Sequence, residues 1–131
     1  VKANCDVNKA LSDGRAPVHF AAEKDHAAAL RVLVEVGNAN VNLARNDGAT
    51  PVHIAAPLGH TAVLEIPVKA RSDVNLVMKD GSTPAFVAAQ CGHAAALRVL
   101  VGAGCNVNRA MQDGVTPAHI AAQEGYISAL E

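Results

Sequence analysis

Six histidines and three cysteines are the side chains of this chain most suited to chemistry. His19, His53 and His119 stand at one recurring position in the text, and His26, His60 and His93 at another. So many imidazoles suggest metal ligation or acid–base catalysis. Cys91 lies close to His93 and suggests an activated thiolate. Each idea needs a partner: zinc ligands must converge on one point with bonds near ~2.1 Å, and a Cys–His pair needs a pocket and an orienting third group. No second pair faces Cys91 and His93, and no third group can be pointed to. The question becomes which elements hold these residues, and how far apart.

The elements repeat. Asp-Gly occurs at 13–14, 47–48, 80–81 and 113–114, at spacings of 34, 33 and 33 residues. Behind each pair the text rhymes, as in Ala49-Thr50-Pro51-Val52-His53 and Val115-Thr116-Pro117-Ala118-His119, and Ala-Ala follows at 21–22, 55–56, 88–89 and 121–122. The nine residues from His26 to Val34 recur unchanged from His93 to Val101. A period in this range reads as a solenoid.

Each unit makes physical sense. Asp-Gly is a turn signal, because Gly accepts positive φ and Asp bonds nearby backbone. Thr at the N-cap with Pro at the first helical position starts a helix. That helix stops at Gly59, Gly92 or Gly125, and at Asp25 in the first unit. A second helix follows, with Leu30, Leu33 and Val34 at helical spacing, and ends near Gly37 or Gly104. A short Asn-Val-Asn or Asp-Val-Asn segment then leads to the next turn.

The pattern Asp-Gly-x-Thr-Pro-x-His-x-Ala-Ala-x-x-Gly-His, followed by a Leu/Val-rich helix, Gly and Val-Asn, resembles the ankyrin repeat. The resemblance covers essentially the whole chain. It implies an all-α solenoid of helix–turn–helix units stacked in parallel, with β-hairpin-like tips projecting at right angles. The tips and inner helices would form a concave face. The whole of 1–131 reads as one repeat domain: 1–12 as the tail of a preceding unit, 13–46, 47–79 and 80–112 as complete units, and 113–131 as a partial one. Terminal repeats normally carry a polar outer face; neither end shows one, so the expectation is a segment of a longer array.

The resemblance also reassigns the histidines. Both positions belong to the family's framework, where the imidazole bonds backbone within or between units. Equivalent positions in adjacent units lie about 10 Å apart, the helix-packing distance, which is too far for two ligands on one Zn²⁺. Cys5 and Cys105 match across three units, hence roughly 30 Å at that packing distance, beyond disulfide reach. Asn42, Asn75 and Asn108 match the place where some arrays of the family are hydroxylated by an asparaginyl hydroxylase. No catalytic residue, metal or cofactor is assigned.

The copies depart from the pattern in places. Ala16 replaces a capping Thr, an expected loss of about 1 kcal/mol. One residue near Asn38 is extra, which predicts a small loop bulge. Pro57 falls near the end of one inner helix, Pro67 replaces Leu33 and Leu100 in an outer helix, and Arg71 stands where neighbouring units have Gly. Interior proline costs ~3 kcal/mol or more, so residues 64–72 are expected to form a distorted or shortened helix of low local stability.

Composition narrows the function. The net charge is −1 with acids and bases mixed, so there is no basic stripe for nucleic acid and no polybasic membrane patch. No apolar run approaches the ~18 residues of a membrane span. Residue 1 is Val and no basic-then-apolar leader follows; with an odd cysteine count, a reducing cytoplasmic or nuclear setting is expected. Arg31, Glu65, Arg98 and Glu131 alternate in charge along the outer helices. They could stitch units together, but exposed pairs contribute only ~0–1 kcal/mol, and a solvated face is the simpler reading.

The expected function is protein–protein interaction by a monomer, through the places where the framework leaves freedom. These are Arg15, Glu23 and Lys24 in the first unit, and Arg45, Asn46, Ala49 and Leu58 in the second. The third supplies Met78, Lys79, Ser82, Gln90 and Cys91, and the fourth Met111, Gln112, Val115, Gln123 and Glu124. Leu58, Met78, Met111 and Val115 are apolar at positions expected to be exposed. The face holds no Trp or Tyr, residues in which hot spots are enriched, so modest affinity is expected, or a footprint extending into further repeats. The alternatives are a spacer within a longer array, or an array that recruits substrate for a catalytic domain outside these residues.

Overall fold

The computed structural model describes residues 6–109, 111 and 113–123. Seven helices stand in these residues, in pairs of nearly equal length. The first pair is α1 (Pro17–Glu23) and α2 (Ala27–Glu35), the second α3 (Pro51–Leu58) and α4 (Thr61–Lys69). The third is α5 (Pro84–Gln90) and α6 (Ala94–Gly102), and α7 (Pro117–Gln123) begins a fourth. Helices α1, α3, α5 and α7 pack side by side as an inner layer, α2, α4 and α6 as an outer one, and α1, α3 and α5 each pack on their own outer partner.

Helices this short are marginal alone, so the ends and the packing must hold them. At each start a residue with extended backbone (Ala16, Thr50 or Thr83) precedes a proline at the first helical position. The Thr83 hydroxyl accepts the Phe86 N–H at 3.1 Å, and Thr116 accepts the His119 N–H at 3.1 Å. Ala16 has no such acceptor. The first turn of α1 is held instead by the His19 ring, whose Nδ1 accepts the Ala16 N–H at 2.9 Å. At the far end of the inner helices Asp25, Gly59 and Gly92 all take positive φ. A Cβ on Gly59 would lie 2.7 Å from His93 Nδ1, so that position needs glycine for space as well as for conformation.

Packing is thin and continuous. Ala22, Ala55, Ala56, Ala88 and Ala89 are fully buried between the layers, with Leu30, Leu64 and Leu97 as the large anchors. Alanine lets helix axes approach closely, and each buried leucine contributes about 1.5–3 kcal/mol.

The second unit corrects one expectation. Helix α4 is neither shortened nor interrupted, and has the same nine residues as α2 and α6. Pro67 is fully buried in the place its neighbours give to leucine, so its ring fills the core while the Val63 carbonyl loses its helical donor. Helix α3 likewise runs through Pro57 to Leu58. After α4, Arg71 takes φ 64°, as Asn38 does after α2 (54°) and Gly104 after α6 (86°). The Ser72 N–H reaches the Pro67 carbonyl and the Cys105 N–H that of Leu100, at 2.9 and 3.0 Å. This is the bond that closes a Schellman end. In the first unit Ala39 bonds Leu33 at 2.9 Å, one residue further along, which places the expected loop bulge between those two residues.

Candidate functional site

The tips are built before they can bind anything. Arg45 N–H donates to the Ala49 carbonyl and Met78 N–H to that of Ser82, both at 2.9 Å, with matching bonds from Leu11 to Arg15 and from Met111 to Val115. Each tip is a small hairpin in which glycine completes a tight turn. The aspartate of each turn accepts the N–H two residues on, at 2.9–3.0 Å, in all four copies. Successive tips join through Asn46 N–H to the Asp13 carbonyl and Lys79 N–H to the Asp47 carbonyl, each at 3.0 Å. Asp13 is held below the usual carboxylate range by the Arg15 backbone N–H and by its guanidinium. Asp80 is held low by the Ser82 hydroxyl and N–H.

Arg15 and Arg45 are folded back onto Asp13 and Asp47, and Arg15 also lies 4.9 Å from the centroid of Phe20. Between tips and inner helices lies a pocket of about 290 Å³. It is lined by the apolar side chains of Ala49, Ile54, Pro57, Leu58, Met78 and Val87, together with Glu23, Arg45 and His53. Three successive units therefore contribute to one apolar depression on the concave side.

The histidines do not gather at one site, although His53 lines the pocket. His19 Nδ1 accepts from Ala16, so its Nε2 carries the proton and donates to the Leu43 carbonyl at 2.7 Å, joining one unit to the next loop. His53 and His119 repeat the first bond, from Thr50 at 3.2 Å and Thr116 at 3.0 Å. Burial pushes the pKa of His19 and His53 below its ordinary value, which keeps the rings neutral. His60 Nδ1 lies 3.8 Å from Asp25 across the first junction. Among the described residues no group of three metal-ligating side chains converges. Burial pushes the Cys105 thiol up to about 11, which makes it a packing group at neutral pH. Cys91 is exposed, and Cys5 lies outside the described residues.

The model of the family described as ankyrin repeats (three copies) matches residues 1–76 and 59–131, together the whole chain. The chain belongs to the ankyrin repeat family. No curated protein matches it. Ankyrin repeats are generally protein–protein interaction modules and typically non-catalytic, and the all-α solenoid here is their architecture.

In the ankyrin stack, the residues singled out from sequence divide into three groups. Glu23, Lys24, Asn46, Leu58, Lys79, Gln90, Cys91 and Gln123 are exposed. Arg15, Arg45, Met78, Met111 and Val115 are half-buried, so the three apolar members of this group offer an edge rather than a whole side chain. Ala49 and Ser82 are buried at 1% and 3% exposure, and Ala49 still lines the pocket. Their short side chains end beneath the tip ribbon, whereas the longer Arg15 and Val115 reach its edge. Gln112 and Glu124 lie outside the described residues.

Glu23, Arg45, Leu58 and Met78 meet at the pocket, with Ala49 in its wall. Sequence reasoning missed Ile54, Pro57 and Val87. Ile54 and Val87 occupy the residue between His or Phe and Ala-Ala, large and apolar in every unit, and that regularity was the available signal. On the outer surface Arg31, Glu65 and Arg98 are exposed, and among the described residues no ion pair links one outer helix to the next. These three charges form a solvated face, and Glu131 lies outside the described residues.

Proposed function

We propose that this ankyrin array binds a protein partner across its tips and concave face, seating an apolar side chain of the partner in the pocket around Leu58 and Met78. The observation that carries the reading is the convergence of three units on that one pocket, with Leu58 exposed at 44%. An exposed leucine alone needs no explanation; one beside a preformed apolar depression has a use. Glu23, exposed beside the pocket, offers a carboxylate to the partner's backbone or polar side chains.

The test is capture from the source organism's lysate by immobilised residues 1–131, followed by titration of the purified partner. Leu58→Glu combined with Lys24→Glu and Lys79→Glu is expected to abolish saturable binding without lowering Tm. Arg31→Glu with Arg98→Glu, on the outer face, is expected to leave it unchanged. The reverse pattern would sink the reading. The spacer alternative rests on the low aromatic content and on the prolines of the second unit, Pro57 and Pro67.

A further inference from the structure

Each unit is set on the next by the same loop bond. The Asn8 side chain accepts the Asn40 N–H at 2.8 Å, Asn42 that of Asp73 at 2.8 Å, and Asn75 that of Asn106 at 2.7 Å. Equivalent positions therefore face equivalent space, and the concave face can be compared unit by unit.

Three positions change together from the first junction to the second. Arg15 becomes Ala49, Lys24 becomes Leu58, and on the first arm of the following tip Arg45 becomes Met78. At the first junction the chain fills the space itself. The Arg15 guanidinium lies 4.9 Å from the centroid of Phe20, which stands where Ile54 stands one unit on, and Asp13 holds it there. In the second tip the arginine has moved to the opposite arm. Arg45 pairs with Asp47, and its N–H donates to the Ala49 carbonyl across the hairpin, as that of Leu11 does to Arg15. Ala49 is too short to cross Ile54, which lines the pocket. Of the carboxylate and guanidinium at that pocket, Arg45 is thus engaged, while Glu23 is exposed and makes no ion pair among the described residues.

On the binding reading above, we propose that Ala49 selects the second junction as the register of recognition, and that the partner segment it admits carries a large apolar side chain next to a lysine or arginine. The apolar group lies against Ile54, Leu58 and Met78, and the cation meets the Glu23 carboxylate.

The probes are two capped peptides, acetyl-Leu-Arg-amide and acetyl-Leu-Glu-amide, titrated against the methyl resonances of Ile54, Val87 and Met78 in residues 1–131. Saturable shifts are expected with both, at about threefold higher affinity for the arginine peptide, the scale of one exposed ion pair. Glu23→Gln, a change at the surface, is expected to remove that preference. Ala49→Arg combined with Arg45→Leu copies the two arms of the first tip, which the fold already accepts, and is expected to weaken both peptides at least about tenfold, as for one buried leucine side chain. Equal affinities in the unmodified chain, or a preference for the glutamate peptide, overturn the assignment of the occupant. Binding that survives the exchange of arms overturns the role of Ala49. Neither of those results touches the binding reading, whereas methyls that move with neither peptide overturn the pocket reading and this proposal together.

Discussion

The segments His26–Val34 and His93–Val101 are identical in sequence and unequal in surroundings. In α6, Ala96, Leu97 and Leu100 are all fully buried; in α2 only Leu30 is, with Leu33 half-buried and Ala29 exposed. Both copies form the same nine-residue helix, so local preference decides that the helix exists. How much it contributes to stability is decided by the neighbours on either side. A stack in which each unit touches only the next behaves as a sum of unit and interface terms, and this pair isolates the interface term with the sequence held constant.

The comparison can be broken most directly at its two leucines. Leu100→Ala is expected to cost about 2–5 kcal/mol, and Leu33→Ala about 1–2 kcal/mol, because only the first leaves a closed cavity. Urea denaturation of both variants decides it, and equal losses would mean that the exposed flank of α2 does not matter. The second unit sharpens the series, since Pro67 occupies the same position. Pro67→Leu is expected to stabilise by up to ~3 kcal/mol by restoring the bond to the Val63 carbonyl. Amide exchange over 64–72 should then slow to the level of 97–103, and exchange there that is already as slow in the unmodified chain would remove the basis of the prediction. The smallest effect is at the helix ends. Arg71→Gly is expected to stabilise by about 1 kcal/mol through relieved left-handed strain, read as a higher Tm. Asn38→Gly should change it less, because asparagine tolerates that conformation.

What was legible beforehand followed how local each feature is. The turn at Asp47-Gly48, the cap at Thr83-Pro84, the stop at Gly59 and the insertion before Ala39 depend on a few adjacent residues, and each is where the text placed it. That the His19 imidazole bonds backbone was expected from the family resemblance, and the stack shows its acceptor to be the Leu43 carbonyl. Exposure was harder. Ala49 and Ser82 sit at freely varying positions, yet the ribbon of tips covers them, and only the stack reveals that. Ile54 and Val87 were not singled out beforehand, and only the packed stack brings them together with Leu58 and Met78 in one pocket. Pro67 shows the same limit in the energetic direction. Its helix-breaking tendency is a property of one residue, while α4 keeps its full length with that ring fully buried in the stack.

The asparagine bonds between loops have a mechanical consequence. Asn8 to Asn40, Asn42 to Asp73 and Asn75 to Asn106 each tie one unit to the next. A pull applied along the array therefore loads them in series, and every link bears the full tension. Such a chain yields at its weakest junction rather than all at once. Each unit that lets go frees about 33 residues, roughly 110 Å of extended chain at ~3.3 Å per residue. The same regularity that lets units stack one by one also lets them come apart one by one, so the array lengthens in steps under load.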